Sequence, residues 1–473
     1  MNVRGILFFF GIYSLSVSFF SILNILYSIY FDFSLNINSY FIVFFISLIF
    51  GFPFCYLNLN INKNLNLTEQ ILLIFLTFLL IPLLFSIPYF LSSYNYSFLD
   101  SYFESVSGFT GTGFSISKNI NFIDEPLLIW RSSSQWLGGL IFLISLVGTL
   151  GLKENKFKPL YLVSSITERG NFYSNFLKNV SPITLFYSIL TIFIFLVYLF
   201  GGLRIFDAFN LAFTVSSSGG FLSKDHLFQV ISGNKQLFIL SITIIISSLN
   251  ILLIIKTFSN KFKLRDFIED IHIISILCIF VFIVYFFIIP EENFLNILLI
   301  IASSLSTSGI GIYSSNTDLS LLLILLTIIG GSVFSTSSGL KYIRIYILFK
   351  TSLKEMNKLF KPLQITSHYI FKPDLKITED DTKMSFLIFI FFILSIFILS
   401  SILTIDDLNF ENSFKLSILT LTNTVTSSMY GLGSFDFYTL KDFTKISLII
   451  FMVLGKVELV SFFILIKKII YKD

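Results

Sequence analysis

Four short segments of the chain share one residue order, and this repeat constrains the fold more than any other feature. Each segment starts with an apolar stretch at helical spacing and ends in a cluster of Ser, Thr and Gly. The four are "FLDSYFESVSGFTGTGFS" (98–115), "IFDAFNLAFTVSSSGGF" (205–221), "FLNILLIIASSLSTSGIG" (294–311) and "SFKLSILTLTNTVTSSMYGLG" (413–433). A helix needs about 20 apolar residues to cross a bilayer, so these segments are too short. They predict re-entrant helices that turn back as irregular backbone.

The sequence around these segments is typical of an integral membrane protein. Of 473 residues, 55% are hydrophobic and only 13% are charged. We predict ten spanning helices, near 5–31, 39–57, 70–93, 126–152, 181–202, 235–258, 271–290, 318–350, 384–404 and 443–470. The stretch 318–350 is interrupted by "GGSVFSTSSG", which indicates a broken helix.

These elements predict an all-α membrane fold with internal repeats. Two N-terminal transmembrane helices (1–60) precede four units, each made of a helix, a re-entrant pore helix with its loop, and a second helix. The predicted units are 61–155, 156–262, 263–365 and 366–473. Irregular backbone at membrane depth must be buried in protein or line a water-filled cavity. We therefore expect the four loops to converge around a pseudo-fourfold pore.

The charges of the loops predict the orientation of the chain. Lysines and arginines cluster between the fourth and fifth spans, after the sixth and eighth spans, and at the C-terminal end. The positive-inside rule makes these loops and both termini cytoplasmic. The opposite loops are acidic and would concentrate cations by field focusing. For any single acid, an ordinary solvated loop remains the alternative.

The composition argues against several other functions. Cys55 and Cys278 lie in apolar runs, and the three histidines are scattered, so a disulfide framework, a metal site or a cofactor has little support. The net charge of +4 gives no indication of nucleic-acid binding. A membrane-embedded enzyme, such as a lipid-modifying transferase, would need clustered acids, histidines or metal ligands. The sequence has no such cluster, and we expect a protein that is not an enzyme.

The small residues of the four segments suggest a site for a monovalent cation. Glycine allows a backbone carbonyl to point inward from a conformation closed to other residues. A ring of carbonyls can replace the hydration shell of such an ion, and the negative ends of four half-helices would favour it. The alternative is that Gly and Ser merely allow close helix packing. Their recurrence at the same point of four units favours the ion site.

Several motifs resemble those of the TrkH/KtrB/HKT superfamily of potassium transporters, most closely the TrkH type. "FESVSGFTGTGFS", "AFTVSSSGGF" and "SLSTSGI" resemble the first three filter loops, with signature glycines at Gly113, Gly219 and Gly309. "IWRSSSQWLGGL", "LTIIGGSVFSTSSGLKYIR" and "FMVLGKVELV" resemble helices of the family. The fourth loop, "SSMYGLG", lacks the usual Asn-x-Gly-Pro-Gly, and we place its glycine at Gly431.

The resemblance implies which residues bind and gate the ion. The implied filter residues are Thr110, Gly111, Thr112, Gly113, Ser217, Ser218, Gly219, Thr307, Ser308, Gly309, Met429, Tyr430 and Gly431. The implied gate residues are Gly330, Gly331, Ser332, Ser335, Thr336, Ser337, Ser338, Gly339 and Lys456. Lys456 would hold the gate closed and repel cations. A packing kink is the alternative for the interrupted helix.

The resemblance also implies K⁺ uptake across a bacterial inner membrane, with K⁺ bound at the filter residues alone. It implies a homodimer and a cytoplasmic regulatory subunit of the RCK type, similar to TrkA or KtrA, which binds the nucleotide (ATP, ADP or NAD). Relatives with Ser at the first filter glycine tend to pass Na⁺, so Gly113 favours K⁺. A Na⁺-permeable or weakly selective transporter of the same fold is the alternative.

Five charged or aromatic residues within these motifs have simpler predicted roles. We expect Arg344 and Lys341 to snorkel to the membrane interface. Arg131 and Trp136, near the start of a span, fit interfacial anchoring. Glu104 is expected either to support the first pore helix or to attract cations.

Overall fold

The computed structural model describes residues 1–59, 63–150, 172–251, 267–311, 318–360, 377, 379–433 and 435–457. Every regular element within these ranges is helical. Much of the predicted basic face lies outside the described residues, as do the end of the predicted sixth span and the predicted last span after residue 457.

Two long helices lead the chain, Val3–Tyr30 and Ile37–Tyr56, as predicted. They pack closely through glycine. A Cβ built on Gly11 would lie 2.9 Å from the carbonyl oxygen of Gly51, a distance that real Cβ atoms do not show. Small residues at such crossings let helix backbones approach in a membrane, where apolar burial alone gives little association.

The predicted order of spanning helix, short helix, loop and second helix is present four times. The helices of the first unit are Leu67–Phe90, Phe98–Thr110 and Glu125–Leu150, and those of the second are Phe172–Phe200, Ile205–Ser216 and Asn234–Ser248. The third unit has Ile268–Ile283 (continued by the π-helix Val284–Ile288), Phe294–Leu305, Ser320–Ile329 and Tyr342–Phe360. The fourth unit has Glu379–Thr404, Phe410–Leu421 and Asp442–Val457. The predicted boundaries between units stay a prediction.

The structure confirms that one predicted span is broken. The stretch 318–350 contains two helices, Ser320–Ile329 and Tyr342–Phe360, joined by irregular backbone. Seven helices of the described chain are long and apolar enough to cross a membrane. The described parts of the second helices in units two to four are shorter.

The four short helices are those expected from the repeat. The first has 13 residues and the other three have 12 each, which at 1.5 Å per residue gives about 18–20 Å. That length is less than the ~30 Å hydrocarbon core. Ser97 begins the first of them, and its hydroxyl accepts the amide hydrogen of Asp100 at 3.1 Å. We call them pore helices 1 to 4.

Glycines in the second helix of a unit hold the end of its pore helix. A Cβ on Gly138 would lie 1.8 Å from the carbonyl oxygen of Phe109, and one on Gly455 would lie 2.4 Å from that of Leu421. Phe109 and Leu421 occupy equivalent places near the ends of pore helices 1 and 4. The same close contact therefore recurs in the first and last units.

A buried ion pair supports pore helix 1 and the chain after it. Arg131 Nη2 lies 2.9 Å from Glu104 Oε1, and Glu104 Oε2 accepts the amide hydrogen of Ile116 at 2.8 Å. Arg131 is only 1% exposed, so the prediction of interfacial anchoring is wrong for this residue. The guanidinium of Arg131 pairs with a carboxylate inside the protein, and Glu104 supports pore helix 1 and the chain after it.

Trp136 also has an internal partner. Its indole Nε1 donates to the hydroxyl of Thr191, on the first helix of the second unit, at 2.9 Å. The ring also stacks on Phe213 of pore helix 2. Trp136 therefore joins the first unit to the second, and the prediction that it is an anchor at the membrane interface is wrong.

Gly138→Ala tests the glycine contact. The new Cβ meets a backbone oxygen that cannot rotate away, so we expect destabilisation of about 1–3 kcal/mol, the usual cost of overpacking. The measurement is the apparent Tm of the detergent-solubilised protein. Gly233→Ala is the matched control, because a Cβ there meets no atom within 4 Å. Equal Tm values for the two variants would contradict this account.

Candidate functional site

Four loops that make the same turn at their second residue follow the four pore helices. We define loops 1 to 4 as residues 110–113, 217–220, 306–309 and 422–425. The second residue of each loop has a positive φ: 80° at Gly111, 52° at Ser218, 60° at Thr307 and 48° at Asn423. Because all four loops make this turn at their second residue, the turn alone shows which residues of the four loops are equivalent.

Hydrogen bonds back to the pore helices fix the same register. The amides of Gly219, Ser308 and Thr424 donate to carbonyls five residues earlier, at 2.8, 3.1 and 2.9 Å. One residue later, the amides of Gly113 and Gly309 donate to carbonyls six residues earlier, at 3.2 and 3.4 Å. These bonds satisfy carbonyls that the ends of the pore helices would otherwise leave open.

This register corrects two sequence predictions. The residue equivalent to Gly113 and Gly309 is Gly220 in loop 2, one position after the predicted Gly219. In loop 4 it is Val425, six positions before the predicted Gly431. The last place of the fourth loop therefore holds no glycine.

The predicted residues Met429, Tyr430 and Gly431 lie beyond loop 4 and are not brought to the other loops. Ser428–Tyr430 forms a 3₁₀ turn that ends at Gly431, whose φ is 75°. Tyr430 is buried, and its hydroxyl lies 3.3 Å from the hydroxyl of Ser304 on pore helix 3. The prediction that a glycine marks the fourth filter loop selected this later turn and not loop 4. Asn423 was the available signal, since Asn adopts left-handed conformations more readily than most residues.

The four loops converge on one point. A Cβ built on Gly113 would lie 3.0 Å from Val425 Cγ2 and 3.3 Å from the Cα of Gly220. A Cβ on Gly220 would lie 2.7 Å from the carbonyl oxygen of Ser308. A Cβ on Gly309 would lie 2.6 Å from Val425 Cγ1. Space favours glycine at all three places, because a side chain would strike a neighbouring loop, and a positive φ favours it further at Gly113 and Gly309.

Hydroxyl side chains bond within loops 1 and 4, and one amide side chain joins these two loops. The hydroxyls of Thr110 and Thr112 lie 2.7 Å apart, and those of Thr422 and Thr424 lie 2.9 Å apart. Asn423 Nδ2 donates to Thr112 Oγ1 and to the carbonyl oxygen of Met452, both at 2.9 Å. Asn423 Oδ1 is buried and has no hydrogen-bond partner in the described part of the chain, so this oxygen and the backbone carbonyls are neutral groups able to bind a ligand.

The irregular segment 330–341 lies directly against loops 2 and 3, and we call it the interrupting loop. Thr336 Oγ1 lies 2.8 Å from Ser218 Oγ and donates to the carbonyl oxygen of Ser216 at 3.1 Å. The amide of Ser338 donates to Thr307 Oγ1 at 2.9 Å. Ser218 and Thr307 are the two residues with positive φ in their loops. The segment therefore contacts the turns of two loops at once.

Two buried lysines hold the interrupting loop. Lys456 Nζ donates to the carbonyl oxygen of Thr336 at 3.1 Å and to Ser338 Oγ at 3.2 Å. It also lies 3.8 Å from the position of a Cβ on Gly111. Lys341 Nζ donates to the carbonyl oxygens of Ser332 and Ser335, at 3.2 and 3.3 Å. One ammonium thus lies between the interrupting loop and loop 1.

Lys341 and Arg344 do not snorkel as predicted. Lys341 is 4% exposed and Arg344 is 7% exposed, and the guanidinium of Arg344 donates to the carbonyl oxygen of Leu340 at 3.4 Å. The interrupting loop supplies carbonyl oxygens inside the protein, so the charges bind there and do not reach the surface.

The remaining gate residues predicted from the sequence lie in the interrupting loop and are bonded within it or to its surroundings. Gly331 donates its amide hydrogen to Ser337 Oγ at 3.1 Å, and Ser335 Oγ lies 2.6 Å from Ser337 Oγ. The φ of Gly330 is 67° and that of Gly339 is 81°, at the two ends of the loop. The interrupting loop is therefore bonded within itself as well as to loops 2 and 3.

Sequence analysis missed two anchors of this segment. Glu269 Oε1 accepts the amide hydrogen of Val333 at 3.1 Å, and the carbonyl oxygen of Ser248 accepts that of Ser332 at 3.0 Å. Glu269 is the second residue of the first helix of the third unit and lies among other charged residues, so its sequence gives no local signal for an internal partner. In the part of the chain that the structure describes, no group of three or more His, Cys, Asp or Glu residues is placed to hold a metal ion.

Comparison with known proteins agrees with this geometry. Residues 292–473 match the family model described as "TrkH: Cation transport protein". An uncharacterised cation transporter of Methanocaldococcus jannaschii is 25% identical over 397 residues, covering 82% of this chain and 80% of that protein. The Trk system potassium uptake protein TrkG of Escherichia coli is 26% identical over 405 residues, covering 79% of each chain.

A solved structure shares the fold along almost the whole chain. The crystal structure of the potassium transporter TrkH from Vibrio parahaemolyticus superposes with a TM-score of 0.82 and covers 98% of both chains, at 21% identity. The all-α membrane fold is therefore confirmed, and the alternative of a membrane-embedded enzyme is set aside. The chain is similar to Trk system potassium uptake proteins, and its residues 292–473 match the TrkH cation transport family.

Proposed function

We propose that this protein carries K⁺ into the cell through the centre of the four loops. The observation that carries the proposal is the convergence of Gly113, Gly220 and Gly309, from three separate units, on one point without charged ligands. Neutral backbone oxygens suit a monovalent cation, whereas a divalent ion favours carboxylates. A membrane potential would supply about 2.3 kcal/mol per charge per 100 mV.

The interrupting loop serves in this proposal as the gate. It packs beneath loops 2 and 3 through Thr336 and Ser338. Lys456 binds it and presents a positive charge beside Gly111 of loop 1. A cation leaving the filter would meet both the segment and this charge. Opening then requires the bonds of Lys456 to break and the segment to move aside.

A Na⁺-permeable or weakly selective transporter is the second candidate, and one observation favours it. Loop 4 carries Val425 where the other three carry glycine, so the ring of backbone is not fourfold. Fewer equivalent carbonyls give weaker control over the size of the bound ion. Competition between ions distinguishes this candidate from a K⁺-selective protein.

The remaining parts of the proposal concern the setting of the protein. We place it in a bacterial inner membrane with both termini in the cytoplasm, as a homodimer with one path per subunit. A cytoplasmic regulatory subunit of the RCK type would bind a nucleotide and move the gate. The support is that relatives are named as members of a Trk system. A co-purifying nucleotide-binding protein would test this assembly.

Uptake of ⁸⁶Rb⁺ into liposomes tests the filter. We expect the wild-type protein to take up Rb⁺, with K⁺ competing better than Na⁺. Gly113→Ser should reduce uptake about tenfold or more, because the φ of 78° strains a side chain and its Cβ would lie only 3.0 Å from Val425 Cγ2. Gly233→Ser is the matched control. Equal competition by Na⁺ would favour the second candidate, and full uptake by Gly113→Ser would refute the filter assignment.

Lys456→Gln tests the gate in the same liposomes. Hydrogen bonds to a charged group contribute about 1.5–3 kcal/mol, so their loss should raise basal flux about tenfold or more. Lys456→Arg keeps the charge and should stay near the wild-type rate. Lys383→Gln is the control, because the Lys383 side chain is 73% exposed. An unchanged flux in Lys456→Gln would contradict the proposal that Lys456 holds the gate closed.

A further inference from the structure

We propose that the Val425 side chain is an apolar plug in the cation path, on the far side of the filter from the interrupting loop, and that its size limits the rate of transport. The proposal rests on the function proposed above. It concerns a residue that departs from the repeat, since the equivalent places in the other three loops hold Gly113, Gly220 and Gly309.

The first argument is the position of the side chain. Cβ atoms built on the three glycines would lie 3.0 Å from Val425 Cγ2, 2.5 Å from Val425 Cβ and 2.6 Å from Val425 Cγ1, respectively. One side chain thus approaches the equivalent residue of every other loop. A residue that belongs to one of four converging loops can do so only if it lies at their common centre.

The second argument is exposure. Gly113, Gly220 and Gly309 are buried, whereas Val425 is half-buried, and Thr426 and Ser427 after it are also half-buried. The side chain of Val425 therefore lies between the three glycines and the surface. Lys456 and the interrupting loop contact the other side of the loops, at Gly111, Ser218 and Thr307. The path has two barriers in series.

The third argument is the chemistry and backbone of valine. Its isopropyl group offers no oxygen to a cation that is losing its water. Gly113 and Gly309 have φ of 78° and 67°, whereas Val425 does not take a positive φ, which is costly for a β-branched residue. Loop 4 therefore neither copies the backbone of loops 1 and 3 nor leaves the centre open.

The experiment compares ⁸⁶Rb⁺ uptake by liposomes with the full-length wild type, Val425→Gly, Val425→Ala and Val425→Thr. Val425→Gly removes the plug and should raise the initial rate about tenfold or more. Val425→Ala should give an intermediate rate, and it provides the test should Val425→Gly fail to insert. Val425→Thr keeps the shape and adds an oxygen, so its rate should stay well below those of Val425→Ala and Val425→Gly.

The outcomes separate the plug from the transport function. Uptake by the wild type with no increase in Val425→Gly or Val425→Ala would overturn the plug alone. Val425→Thr as fast as Val425→Gly would also overturn it, because side-chain size would then not be the barrier. No uptake by the wild type or by any monodisperse variant would overturn the proposed transport of K⁺. A graded increase from Thr through Ala to Gly supports the plug.

Discussion

The structure depends on one constraint: irregular backbone inside a membrane must find its hydrogen bonds within the protein. The four pore helices end among buried residues, and each loop after them bonds back to the last turn of its own helix. The interrupting loop meets the same constraint through its neighbours, since its amides bind Glu269, Ser248 and Thr307. The site is therefore built from the same bonds that make the fold possible.

Close backbone packing is the second consequence of this constraint. Gly138 and Gly455 bring the second helices of two units against the ends of pore helices 1 and 4. The buried pair of Glu104 and Arg131 holds the chain that leaves loop 1. Removing one member of a buried pair would leave an uncompensated charge, which is costly. The rigidity of the surrounding frame allows three glycines and one valine to meet at a point.

The repeat and the spans were predictable because they depend on composition over many residues. Pore helices 1 to 4 and the break in the span 318–350 follow from the lengths of apolar runs and the placement of Ser, Thr and Gly. The positions of the glycines alone did not predict which residues of loops 2 and 4 are equivalent to Gly113 and Gly309. Loop 2 contains two adjacent glycines, and loop 4 turns at Asn423 with no glycine near it. The burial of Lys341, Arg344 and Arg131 depends on partners distant in sequence, which a local pattern does not reveal.

The proposed function requires that the four loops bind a monovalent cation at their point of convergence. Anomalous diffraction from crystals of the protein soaked in Rb⁺ tests it most directly. The account predicts a peak enclosed by residues 110–113, 217–220, 306–309 and 422–425, which weakens when K⁺ is added in excess. A well-ordered map with saturating Rb⁺ and no peak among these loops, or a peak only at another site, would contradict it.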